Sequence, residues 1–432
     1  MSLFKGPMRT HLNGHKDLTE HKELVEVKPG KSVYIPLYAG AATNPKVLVN
    51  EGDKVSVGTL IAVFDERNYV PIFSSVSGTV KSTEVRMHQS LKKLEHIVIE
   101  NDEKYSSTQA FGTINWESAT RAELIDFMMK SGMLGCGGAG FPTYIKYKFA
   151  KDIKTVVINA VECEPFITSD YYLTGHNFDL MLTGILAMKK MAEASEVIIA
   201  IKKTHPELID FVNSKLKDVN GVKVVGVPDV YPMGWERTLV HELTGKDYDK
   251  LPSEIGIVVN NATTAFMFAK AMIQGEPIVS RILTISGDGV KNPVNASVRV
   301  GTMMSDVIEQ AANGYSGDDI LLSVGGPMMG ATMTTDQVVV ERQNNALTVQ
   351  KNNIKDEIAC LRCGRCSDYC PSGLQPVRIA QAFKSKDLDR VGILQINSCI
   401  ECGMCTYVCP SKIAVTETMR RAKRAYNAFN QK

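Results

Sequence analysis

The sequence predicts a multi-domain α/β chain, and three observations predict it. Short alternating apolar runs fill residues 26–100, helical and strand patterns alternate over 115–275, and eight of the ten cysteines fall between Cys360 and Cys409. At 432 residues the chain exceeds one ordinary core. Its 44% hydrophobic and 22% charged content is that of a globular protein, and a formal charge of +2 leaves neither a basic footprint for nucleic acid nor an acidic tail. No apolar run of about 18 residues is present, and the first residues carry no apolar stretch of a signal peptide. The expectation is a cytoplasmic chain whose membrane association, if any, is peripheral and comes through a partner.

Residues 1–110 form the first expected unit. SVYIPL, KVLVN, TLIAVF, YVPIF, GTVKSTEV and HIVIE read as strands separated by turns such as Glu51-Gly52-Asp53. The pattern resembles a barrel-sandwich hybrid of the biotinyl/lipoyl-carrier type. A carrier needs a lysine on the hairpin between its halves, and that hairpin reads Asp65-Glu66-Arg67-Asn68. A structural or docking role is therefore expected.

Residues 111–275 read as a Rossmann-like α/β domain. TRAELIDFMMKSGM is helical in period; TVVINAVE, EVIIAIK, KVVGV and IGIVVNN read as strands, with NFDLMLTGILAMKKMAEA and PELIDFVNSKLKD as helices between them. Residues 276–335 give β–β–α–β, a β-grasp-like insert, and a polar stretch of roughly 332–355 leads into the final unit, 336–432. Its closing RRAKRAYNAF reads as a short basic helix with a solvated face.

The cysteine arrays carry the most specific chemistry. Cys360, Cys363, Cys366 and Cys370 are spaced C-x2-C-x2-C-x3-C before Pro371, and Cys399, Cys402, Cys405 and Cys409 repeat the pattern before Pro410. Three cysteines two residues apart wrap one cubane, while the fourth reaches the other cluster. One [4Fe–4S] cluster is thus assigned to Cys360, Cys363, Cys366 and Cys409, and the other to Cys399, Cys402, Cys405 and Cys370, in a ferredoxin-like two-cluster domain. A pair of zinc sites is the alternative, but zinc motifs seldom repeat this spacing. Clustered thiols of this kind also argue for a reducing compartment.

A second site is suggested by Gly135-Cys136-Gly137-Gly138-Ala139-Gly140-Phe141-Pro142-Thr143 and Lys146. Glycines admit positive φ and close approach to a phosphate, although a tight turn uses the same residues. Cys136 inside this loop has two readings. One is a small gap-filler; the other is a redox-active thiol with its pKa lowered by a helix N-terminus, which would make Cys136 a catalytic candidate.

The loop, followed by Asn159-Ala160-Val161-Glu162-Cys163-Glu164-Pro165, resembles the flavin-binding subunit of respiratory NADH dehydrogenase. With the starting FKG, SSVSGTV, YPMGWE, VVNN, GGPMMG and the two arrays in the same order, residues 1–415 resemble more closely the RnfC family, a component of the Rnf electron-transport complex. The resemblance implies FMN and NAD(H) as ligands. Gly135, Gly137, Gly138, Gly140 and Lys146 would cradle the flavin phosphate and ring. Asn159, Asn260 and Asn261 would hydrogen-bond the flavin, with Thr264 nearby. Phe141 and Glu164 would lie where the nicotinamide nucleotide binds, and Glu162 and Glu236 would line the same cavity. Phe141 as a core aromatic and Asn260–Asn261 as a strand-end turn stay open as readings. The function so implied is electron exchange between NAD(H) and two [4Fe–4S] clusters through FMN, within a ferredoxin:NAD+ oxidoreductase complex of electron-transfer subunits. The alternatives are a soluble donor to a proline-reductase-type enzyme that uses Cys136, and a cluster-bearing scaffold without NADH activity.

Overall fold

The computed structural model describes residues 10–40 and 44–430. The starting FKG segment, and part of the first expected unit, lie outside these residues.

Two small antiparallel sheets form the N-terminal unit. One runs Ser32–Pro36, Lys93–Asn101, Gly78–Met87, Lys54–Val55, and the other Lys46–Val47, Leu60–Phe64, Val70–Phe73. Alternation along Ser32–Pro36 turns Val33 and Ile35 inward, where they meet Ile61, Phe64, Ile97 and Ile99 in one apolar core. The hairpin Asp65–Asn68 is exposed throughout, as expected of a turn made only of polar residues.

The central unit is a parallel sheet in the order Val222–Val227, Glu196–Lys202, Thr155–Ala160, Ile257–Asn261. The chain starts in the middle of this sheet, grows to one side, and returns to add Ile257–Asn261 on the other side of Thr155–Ala160. That reversal leaves a crevice at the carboxyl ends of these two strands, which is where open α/β sheets bind ligands. Helices Phe178–Ala192 and Ala262–Gln274 pack closely because Gly184 has no side chain: a Cβ there would lie 1.9 Å from the carbonyl oxygen of Ala265.

A six-stranded sheet follows, in the order Val25–Val27, Val294–Arg299, Ser280–Ser286, Ala346–Lys351, Ile320–Val324, Ala331–Met333, with helix Met304–Ala312 against it. This differs from the sequence reading in two ways. The stretch 332–355 contains an internal strand with Ala346, Leu347, Thr348 and Val349 all buried, and Val25–Val27 joins from the N-terminal side. Four apolar-to-neutral residues between polar neighbours give too short a run to stand out in a composition window.

The C-terminal unit is helical, with Pro376–Lys384, Leu388–Ile393 and Val415–Phe429 packed round Ile379, Val391, Ile396, Met419 and Ala422. The expected basic helix is the exposed part of Val415–Phe429. Among the described residues no helix is long and apolar enough to cross a membrane.

Candidate electron-transfer and cofactor sites

The two cysteine arrays fold as local repeats. Arg362 and Glu401 take φ of 52° and 57°, Gly364 and Gly403 take 79° and 81°, and Gly373 and Lys412 take 64° and 58°. Arg362, Glu401 and Lys412 accept a left-handed backbone that only glycine adopts freely, so the turn is imposed by its ends. Backbone N–H groups of the turns point at sulfur: those of Ser367 and Val377 reach Cys366, those of Ser372, Gly373 and Leu374 reach Cys370, and those of Glu401 and Met404 reach Cys399 and Cys402.

The quartets form across the arrays. Cys360, Cys363, Cys366 and Cys409 border one cavity of about 250 Å³, and Cys370, Cys399, Cys402 and Cys405 border a second, tighter one. Each quartet thus draws three cysteines from one array and the fourth from the other. Four sulfurs around a cavity, met by N–H donors, suit a cubane. Burial pushes the thiols of Cys366, Cys370, Cys399, Cys402 and Cys405 up, that of Cys405 to about 12. Iron would supply the charge that makes thiolates stable there.

The quartets differ in exposure. Cys360 and Cys363 are exposed, whereas Cys402 is buried and Gly403 sits so close to the carbonyl of Met328 that a Cβ would lie 2.6 Å from it. Tyr231, itself 3% exposed, donates from Oη to the carbonyl of Cys402 at 2.8 Å and lies 3.4 Å from Glu164 Oε1. The inner quartet is therefore fastened to the α/β unit, and the outer one faces solvent.

The glycine-rich loop lies at the crevice of the parallel sheet. Its ends are joined by Gly135 N–H to the carbonyl of Phe141 (2.8 Å) and Gly140 N–H to that of Gly135 (3.0 Å). The Cys136 N–H donates to Thr264 Oγ at 2.9 Å, and a Cβ on Gly137 would stand 3.2 Å from the side chain of Asn261. Asn261 caps helix Ala262–Gln274 by accepting from Thr264 N–H. The loop, Asn261 and Thr264 are thus brought together. Gly137, Gly138 and Ala139 are exposed, and Phe141 is 43% exposed, which rules out its reading as a core aromatic. An exposed, glycine-lined backbone beside a helix N-terminus at a sheet switch point fits a flavin nucleotide. Lys146 donates to the carbonyl of Val259 at 2.6 Å; burial pushes its ammonium down, against the pull of Glu236.

Other expected residues are engaged elsewhere. Asn159 donates to the carbonyl of Gly234 at 2.8 Å, and Asn260, 2% exposed, donates to Tyr147 Oη at 2.6 Å. Glu236 accepts from Tyr248 Oη at 3.0 Å. The Glu162 carboxylate accepts from Ser169 Oγ, Asp170 N–H and Tyr171 N–H, so it caps helix Ser169–His176. Glu164 accepts from the N–H groups of Met328 (3.1 Å) and Met329 (2.9 Å), tying the ECEP segment to the GGPMMG turn. Cys136 is corrected as a lowered-pKa thiol. It is wholly buried, and burial pushes its pKa up despite the nearby Arg281 guanidinium.

Three residues were missed. Lys16 donates to the carbonyls of Glu162 (2.9 Å), Glu164 (2.8 Å) and Ile167, pinning the ECEP segment, and burial lowers its pKa to about 8. Asp170 receives Asn261 Nδ2 and Thr263 Oγ; burial, with Glu162 adding to it, raises its pKa to about 6. Tyr231 begins the YPMGWE segment, so a signal for it existed. Lys16 and Asp170 carry no local pattern.

Burial raises Glu164 from 4.5 to about 7. A carboxyl whose folded pKa is raised favours folding while protonated, so its contribution is full below pH 4.5 and fades as pH rises through 7. The expected loss is at most about 3 kcal/mol across that window. In Glu164→Gln, urea unfolding at several pH values should show a shallower fall, above all between pH 6 and 7 where the raised Asp170 adds least; an unchanged slope would refute the assignment.

Three family models match the chain. Residues 4–104 match the RnfC barrel sandwich hybrid domain, 128–270 the Nuo51 FMN-binding domain, and 359–414 a 4Fe-4S dicluster domain. Three relatives are C components of oxidoreductase complexes. The chain is 33% identical to that of the proton-translocating ferredoxin:NAD(+) oxidoreductase complex of Clostridium ljungdahlii, over 87% of this chain and 83% of that one. It is 32% identical to that of the Na(+)-translocating ferredoxin:NAD(+) oxidoreductase complex of Acetobacterium woodii, over 88% and 86%. It is 31% identical to that of the ion-translocating oxidoreductase complex of Haemophilus influenzae, over 89% of this chain and 60% of that one. Two solved structures of an NAD+-reducing [NiFe]-hydrogenase, air-oxidised and H2-reduced, align with TM-scores of 0.53 and 0.50 at 18% identity. They cover 74% and 76% of this chain, which spans 64% of each solved chain, and share its fold.

Proposed function

The chain belongs to the RnfC family, the C components of ion-translocating ferredoxin:NAD(+) oxidoreductase complexes, and from that premise we propose that it exchanges electrons between NAD(H) and partner subunits by way of FMN and two [4Fe–4S] clusters. A bound FMN would supply the change from two-electron to one-electron chemistry, and the clusters would supply a one-electron path onward. The chain's own part is to hold and align these groups.

The loop Gly135–Gly140 and Lys146 hold the flavin. Asn261 and Thr264 fix the loop's shape. Phe141, exposed at the crevice mouth, offers the nucleotide an apolar face. Cys370, Cys399, Cys402 and Cys405 hold the inner cluster, and Cys360, Cys363, Cys366 and Cys409 the outer one. In domain terms the reading is a barrel-sandwich unit at 1–110, a Rossmann-like flavin domain at 111–275, a β-grasp-like unit at 276–335 extended by Ala346–Lys351, and the two-cluster unit beyond. Partner subunits would meet the outer quartet, and any attachment to the cytoplasmic face of a membrane would run through them.

The observation that carries this reading is the bond from Tyr231 to the carbonyl of Cys402, which fastens the inner cluster site to the flavin-loop domain. The test is anaerobic protein reconstituted with iron, sulfide and FMN, then mixed with NADH. Bleaching of the flavin band followed by cluster EPR signals is expected. A flavin band that NADH leaves unchanged would sink the oxidoreductase reading.

A further inference from the structure

Among the described residues Arg281 is the bulkiest fully buried side chain, 1% exposed, on strand Ser280–Ser286. Its Nε donates to the carbonyl of Asn344 and its Nη2 to the carbonyl of Cys136, both at 2.9 Å, while Nη1 has no hydrogen-bond partner. Among the described residues no carboxylate forms an ion pair with it. Asp170 feels its charge, but that carboxylate is engaged by Asn261 and Thr263. A guanidinium stays charged in a protein, and this one hydrogen-bonds only to carbonyls, with one N–H group unanswered and Asp170 near enough to feel its charge but not to pair with it; such a cation gains from a further anion nearby.

The bond to Cys136 has a directional consequence. In a trans peptide the C=O and N–H point opposite ways, so with the Cys136 carbonyl turned to Arg281, the Gly137 N–H points away from it, on the exposed side of the loop. Among the described residues the N–H groups of Gly137, Gly138 and Ala139 donate to no protein acceptor. Hydrogen bonds in series polarise one another.

We propose that Arg281 is a positioning residue for the flavin: from behind the loop it polarises the Cys136–Gly137 peptide and sets a positive potential toward the anionic part of a bound flavin. That negative charge has two sources, the FMN phosphate or the ring once reduced. The proposal rests on the flavin-binding reading above.

The test uses the full, cluster-loaded chain freed of flavin. FMN and riboflavin are titrated by fluorescence, and flavin midpoint potentials are measured, for the parent, Arg281→Met and Arg281→Lys. If the phosphate is the anion, Arg281→Met should weaken FMN by roughly tenfold and leave riboflavin within twofold, with lysine restoring part of the loss. If the reduced ring is the anion, affinities for oxidised flavin should hold while the midpoint falls, by about 30 mV for each tenfold lost by the reduced form. Equal weakening of both flavins with no change in potential would mean a merely structural arginine and overturn the proposal, as would no change at all. Should Arg281→Met fail to fold, the parent decides: an FMN-to-riboflavin affinity ratio near one, with a potential equal to that of free FMN, also overturns it. A parent that binds neither flavin overturns the flavin reading and this proposal together.

Discussion

Cys409→Ser is expected to remove the cluster of the other array's first three cysteines and to spare the one held by its own. Iron should fall from about eight to about four atoms per chain, the count for one remaining cubane. The reason is spatial: Cys409 borders the cavity of Cys360, Cys363 and Cys366, while Cys370 borders that of Cys399, Cys402 and Cys405. Cys370→Ser should likewise halve the iron, with different consequences. It removes the inner cluster, next to Tyr231, so NADH should still bleach the flavin while the remaining cluster fills slowly or not at all. In Cys409→Ser the inner cluster should still be reduced by NADH, and only delivery to an external acceptor should fail. Both variants should lose stability, because Cys370 and Cys409 alike pack against the small core of Leu374, Val415 and Met419, whose folding is coupled to metal. EPR of the NADH-reduced variants distinguishes the two cases. If Cys409→Ser loses the inner cluster, the crossed assignment is wrong.

What the sequence disclosed, and what it hid, follow from how local each cause is. The arrays were legible because thiolate–iron geometry forces the spacing, and the repeat leaves left-handed residues at the same three positions of both arrays. The glycine-rich loop was legible for the same kind of reason, as a backbone need written into residue type. The capping role of Glu162 was not legible, because a carboxylate near a proposed nucleotide site looks the same in sequence whether it faces a sugar or caps a helix. Cys136 misled because a thiol in a loop suggests exposure, whereas its side chain turns inward toward the Leu134 carbonyl and is wholly buried. Arg281 was silent: one cation in SRILTIS is indistinguishable from a surface residue until the sheet is assembled and the strand proves central. Lys16 is silent too, since its three carbonyl partners lie about 150 residues away and only tertiary folding brings them in.

Gly138→Ala is expected to weaken flavin binding by roughly tenfold or more beyond any effect of its stability loss, and Gly52→Ala supplies the matched control. Both glycines are in the left-handed region, with φ of 97° and 90°, and a Cβ built on either meets nothing within 4 Å. Each alanine should therefore lower stability by about 1–2 kcal/mol, through backbone strain alone. The two sites differ only in what must approach them. Gly52 lies in a turn of the N-terminal unit, its N–H donating to the carbonyl of Val80. Gly138 lies at the exposed top of the loop over the sheet crevice, where a methyl group would stand between the backbone and a ligand that needs contact with it. FMN affinity should thus drop by roughly tenfold or more in Gly138→Ala and stay within twofold of the parent in Gly52→Ala. Urea midpoints measured beside flavin titrations separate strain from exclusion, because strain moves both variants alike and exclusion moves one. Equal flavin affinity in the two variants would mean that the open space above Gly138 is not where the flavin sits.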